Sequence, residues 1–152
     1  MKMLFLFFLL LQVSAVSAQN IFISVTQELN FGDFYLLNSS QNATIRVAPT
    51  GEWSNTGNAT QINPNHSPAI FSISTDSTTP IMVQVHTTPG VMTNSEGLQV
   101  ELLSEETNTV YTLQKDHSLE IPIGGILKIH NGEALNGTFS GNLSLWATII
   151  NE

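Results

Sequence analysis

The only neighbouring acid and base in this chain are Asp116 and His117. General acid–base work needs both groups at one reacting atom. Adjacent residues of an extended backbone point to opposite faces, so the couple reads as a solvated turn. A hydrolase triad would add a poised nucleophile and an oriented histidine. The chain has no cysteine, and no serine stands in a nucleophile-elbow context. The four histidines, His66, His86, His117 and His130, are scattered without ligand spacing, and Asp33, Asp76 and Asp116 are the only aspartates. Glu105-Glu106, ahead of Thr107-Asn108, reads as an exposed hairpin tip rather than a calcium site. Trp53, within the polar stretch 51–60, is the candidate ligand platform, where an indole could stack on a sugar ring; packing over the end of the domain is its other use. Trp146 is the second tryptophan that could serve as such a platform. No enzyme, cofactor or metal centre is expected.

The remaining chemistry is that of strand pairing. Across residues 138–150, Phe139, Gly141, Leu143, Leu145, Ala147 and Ile149 alternate with Ser140, Asn142, Ser144, Trp146 and Thr148. Alternation with period two predicts one long strand with a buried face. Such a strand either completes a core or offers its edge to another chain. Near the other end, Ile21, Ile23 and Val25 alternate in the same way.

Between these lie short β-branched or aromatic runs at 29–34, 43–48, 70–75, 81–86, 98–103, 109–113, 119–123 and 126–130. Turn formers separate them, among them Pro49-Thr50-Gly51, Asn63-Pro64-Asn65, Thr88-Pro89-Gly90, Asn94-Ser95-Glu96-Gly97 and Asn131-Gly132. This pattern predicts an all-β domain, an Ig-like antiparallel β-sandwich of Greek-key type. Pro122 beside Gly124-Gly125 predicts a corner or bulge between two flanking strands.

Lys2, the apolar run 4–11 and the small residues Val16-Ser17-Ala18 predict a cleaved signal peptide over residues 1–18, too short to span a bilayer. A single domain over 19–152 is then expected, without a transmembrane segment, in a secreted protein. The chain carries four Lys and Arg against 12 Asp and Glu, for a net charge of −8. That balance argues against nucleic acid or an anionic membrane as partner. Without cysteine, an exported domain depends on its core alone. Asn38, Asn42, Asn58, Asn65, Asn136 and Asn142 stand in sequons, which predict glycosylation in a eukaryotic secretory pathway and which an Asn- and Thr-rich chain also produces by chance.

Leu29-Asn30-Phe31-Gly32, Pro49-Thr50-Gly51, Ala69-Ile70-Phe71-Ser72-Ile73, Gly124-Gly125-Ile126-Leu127 and Gly137-Thr138-Phe139-Ser140-Gly141 together resemble a bacterial domain family of unknown function numbered 4402. The resemblance covers nearly all of residues 19–152. It implies an exported β-sandwich of bacterial envelopes, similar to pilin and adhesin subunits, located in the periplasm, on the outer surface or in an extracellular fibre, and no enzyme. Partners would be other envelope or fibre subunits and a periplasmic chaperone. Pilins are incomplete sandwiches whose groove accepts a chaperone strand and then the N-terminal extension of the next subunit. Here Phe139, Leu143, Leu145, Ala147 and Ile149 would line the accepting side, and Ile21, Ile23 and Val25 would be donated. Five apolar side chains buried in this way contribute on the order of 7 to 15 kcal/mol gross. The departure is in spacing, because only a short stretch separates Ala18 from Leu29-Asn30-Phe31-Gly32. Residues 21–26 are thus either a donor strand or the domain's own first strand. The alternative function is a self-contained ligand-binding module, for carbohydrate, with Trp53 as platform.

Overall fold

The computed structural model describes residues 19–37, 41–97, 99–106, 109–130 and 140–150. The leader, Phe139, the Asn131-Gly132 turn and the sequons at Asn38 and Asn136 lie outside these residues. Thirteen strands and no helix are found among the described residues, and all strand pairs are antiparallel. The fold is an all-β sandwich of curled antiparallel sheets.

The spine is β11 (Leu119–Ile129), an 11-residue strand. It pairs with β6 (Ala69–Thr75) through residues 119–123, with β3 (Ala43–Val47) through 125–129, and with β9 (Gln99–Glu106) through 123–128. One large sheet runs β1 (Ile21–Gln27), β6, β11, β9, β8 (Gly90–Thr93), β12 (Ser140–Gly141), with β3 joined to β11 and β4 (Trp53–Thr56) to β3. A three-stranded sheet runs β10 (Val110–Leu113), β7 (Ile81–Thr88), β13 (Ser144–Ile150), and a third pair joins β2 (Asn30–Leu36) to β5 (Ala59–Ser67).

Alternation decides what is buried. In β6, Ala69, Phe71, Ile73 and Thr75 face in, and in β7 Ile81, Val83 and Val85 do the same. Apart from Thr75, these residues form one apolar cluster with Leu113, Ile121 and Ile123 between the two larger sheets. A second cluster gathers Phe31, Ile45, Val47, Val100, Leu102, Leu127 and Ile129.

Several expectations are corrected. No corner forms at Gly124-Gly125: the two runs predicted around them are one strand, and the glycines mark where β11 exchanges β6 for β3. Their missing Cβ atoms admit close neighbours instead, since a Cβ on Gly125 would lie 2.8 Å from Phe31 Cζ, and one on Gly124 2.8 Å from the Pro49 nitrogen. The predicted turn Asn63-Pro64-Asn65 lies inside β5, where the register against β2 shifts between Phe31 and Asp33 and again between Asp33 and Phe34; proline is tolerated at such an irregular site. Glu105 and Glu106 are no loop tip but half-buried residues of β9. Glu105 accepts two hydrogen bonds from the Arg46 guanidinium, and Glu106 accepts one from the Thr87 hydroxyl. Finally, the long closing strand is broken at Asn142-Leu143. Its first part pairs with β8 in the large sheet and its second with β7 in the three-stranded sheet, so the chain changes sheets there.

Candidate functional site

Among the strands that have one neighbour each, two stand out. β1 pairs only with β6, and β13 only with β7, among the described residues. An edge strand presents N–H and C=O groups that no second strand pairs, and native sheets ordinarily blunt such edges with charge, proline or shortness. Other ends of the sheets follow that rule. β4 and β10 have four residues and β12 two, while the β2–β5 pair carries Asp33, Pro64 and an irregular register. β1 (IFISVTQ) and β13 (SLWATII) are less protected: each has seven residues without charge, proline or glycine, and the one irregularity is a register shift between Val25 and Gln27 near the end of β1.

The inner faces of both edges are under-covered. Ile23 stands opposite Ile73, and Val25 opposite Phe71, so they lie on the core side of the sheet. Ile73 is 0 % exposed and Phe71 5 %, yet Ile23 is 38 % and Val25 56 % exposed. Opposing structure covers β6 but leaves β1 open. On β13, Leu145, Ala147 and Ile149 pack against the first apolar cluster and stay half-buried, as does Leu143 just before it. Val25, Phe71, Leu102, Leu143 and Ser144 line a common cavity of about 450 Å³, which places β1 beside the start of β13.

β1 is held firmly to its own domain. The Asn20 amide N–H donates to Asp76 Oδ1 at 2.9 Å and its side-chain Nδ2 to Oδ2 at 2.7 Å, while the Thr75 hydroxyl donates to the Asn20 carbonyl. At the far end, Thr26 Oγ1 donates to the Ile70 carbonyl and Gln27 Nε2 to the Pro68 carbonyl at 2.7 Å. The hydrogen bonds from Asn20, side chain first and then backbone, hold the Asp76 carboxyl below its ordinary value because they favour the ionised form.

The outer face of β13 carries Trp146, which is 49 % exposed. Its direct cross-strand partner is His86, and the two rings stack with centroids 4.1 Å apart and planes 17° from parallel. β7 lies on one side of β13 only. The imidazole therefore covers one indole face, and the other looks toward the side that has no strand among the described residues. His86 Nε2 lies 3.3 Å from Thr148 Oγ1. No residue of β7, β10 or β13 is an acid, a lysine or an arginine.

The model of a family described as a domain of unknown function (DUF4402) matches residues 21–148. The chain belongs to this family. The DUF4402 match begins on the first residue of β1 and ends within β13, so both open edges fall inside the shared domain. No curated protein matches the chain.

Within this DUF4402 domain, the predicted pairing residues divide between two edges. Ile21, Ile23 and Val25 are on β1, which pairs with its own domain; Leu145, Ala147 and Ile149 are on β13, with Leu143 just ahead of it. Trp53 is half-buried on β4, packs against the second cluster and donates its indole N–H to the Phe31 carbonyl at 3.1 Å. Asp116 and His117 are both exposed, in a turn where Asp116 has a φ of 61°. Among the described residues no three His, Asp or Glu gather as metal ligands. The His86–Trp146 stack had no signal in spacing, because strand order brings together residues far apart in the chain.

Proposed function

We propose that this DUF4402 domain is a secreted bacterial envelope protein, a pilin-like or adhesin-like structural subunit that acts by strand pairing. The observation that supports this most is the coincidence, among the described residues, of two long, uncharged, unpaired edges with uncovered core-side residues. An isolated soluble sandwich gains nothing from Ile23 and Val25 facing its core side without cover, and a seven-residue strand such as SLWATII on an open edge invites association. Both features make sense when a further strand lies alongside. The partner class is another envelope or fibre subunit, or a chaperone that covers the edge during export.

Amide hydrogen exchange tests this reading. A peptide of residues 19–27 has the required alternation, and its addition is expected to slow exchange along β13 and to raise the thermal midpoint. Unchanged exchange at β13 across a saturating series of the peptide overturns it.

A carbohydrate-binding module is the second reading, and the exposed Trp146 on an uncharged, hydroxyl-bearing face favours that residue over Trp53 as platform. It requires loss of glycan binding in Trp146→Ala with retained fold.

A further inference from the structure

We infer that the two bare edges are each other's partners: the outer edge of β1 in one copy of the chain pairs with the outer edge of β13 in the next, while each β1 stays paired with its own β6. The inference rests on the strand-pairing reading above and deepens it by naming the occupant as a second copy. It also removes the need for β1 to leave its domain, which the hydrogen bonds from Asn20, Thr26 and Gln27 oppose.

Complementarity of the two edges carries the choice. Both have seven residues, and neither brings a charge to the junction, which matters for a chain of net charge −8 that would otherwise repel its own copy. In an antiparallel pair, residues directly opposite share a face. With the strands offset by one residue from full overlap, the register that keeps inward rows together, Ile21 meets Ile149, Ile23 meets Ala147 and Val25 meets Leu145, so the inward rows form one apolar strip that continues past β1. On the outer side Ser24 meets Trp146, and Phe22, itself 55 % exposed, falls diagonally from it toward the free indole face. Diagonal neighbours are within reach of aromatic side chains. Pairing β1 with β1, or β13 with β13, would leave Ile23 and Val25 without the opposing β13 row. The head-to-tail junction uses two different surfaces and therefore propagates unless its rotation closes a ring.

Single lysines on the outer face block each surface separately, since Ser24 and Thr148 are exposed and outside both apolar clusters. The exported protein, Ser24→Lys, Thr148→Lys and an equimolar mixture of the two variants would be followed by sedimentation velocity, with circular dichroism to verify the fold. The wild type is expected to form a concentration-dependent series, each variant alone to sediment as a monomer, and the mixture to stop at twice the monomer mass. Self-association of Ser24→Lys alone means β13 pairs with β13, and of Thr148→Lys alone means β1 pairs with β1; either overturns the inference. A wild type that remains monomeric also overturns it. In that case slowed exchange at β13 on adding the 19–27 peptide would leave the strand-pairing reading standing, and its absence would remove both.

Discussion

Replacing Gly125 by alanine separates two accounts of the glycine pair on β11. Neither Gly124 nor Gly125 has a positive φ, so an added Cβ meets no backbone strain of the left-handed kind. What it meets is matter: at Gly125 the new atom would lie 2.5 Å from Leu29 Cδ2 and 2.8 Å from Phe31 Cζ, both outer ends of side chains. Overpacking of a tight core costs about 1–3 kcal/mol. Reduced freedom of the unfolded chain returns about 0.4–1 kcal/mol of this. A net loss of about 1–2 kcal/mol is expected for Gly125→Ala. At Gly124 the obstacles are the Val47 carbonyl and the Pro49 backbone and ring, which move only if β3 parts from β11. Gly124→Ala should therefore cost more, about 3 kcal/mol or above. Urea unfolding at constant m reads both values from the shift in midpoint. A double-mutant cycle with Leu29→Ala should recover part of the Gly125→Ala loss, because the truncated side chain vacates the contested space. Neutral or stabilising behaviour of Gly125→Ala, or strict additivity in that cycle, would refute crowding as the reason for the glycine.

Other outcomes follow from the anchors of β1 and from Trp53. Asp76 has a lowered pKa in the folded chain, so its contribution is present above the ordinary carboxylate range and is lost as pH falls through the folded value. The start of β1 should fray in acid, seen as faster hydrogen exchange at residues 21–23, and Asp76→Asn should remove that pH dependence; persistence of the same acid transition in Asp76→Asn would assign it elsewhere. Trp53→Phe keeps the ring against the second cluster but deletes the hydrogen bond to the Phe31 carbonyl, for an expected loss of about 1 kcal/mol in thermal or urea unfolding. A neutral result would mean that water replaces the indole donor.

Strand identity was legible wherever alternation was strong. β6 and β7 bury the residues that their period-two pattern selects, and on β13 Leu145, Ala147 and Ile149 face inward and are half-buried. Polar strands were not legible: β4 and much of β5 contain Ser, Asn, Thr and Pro, and they form because neighbours supply the ladder rather than because their own side chains demand burial. Glycine was misread for a related reason. A sequence shows that a side chain is missing, not whether the space is needed for a turn or for a neighbour, and at Gly125 the neighbour is Phe31.

The sequence by itself determined the all-β class, the family and the inward rows of both terminal strands, because side-chain alternation and turn chemistry are local properties of the chain. Only the tertiary structure decided that residues 140–150 change sheets at Asn142-Leu143, that β1 and β13 have one neighbour each among the described residues, and that His86 covers one face of Trp146. An edge is defined by the strand that is not beside it, and which strands lie side by side depends on contacts between residues distant in the chain.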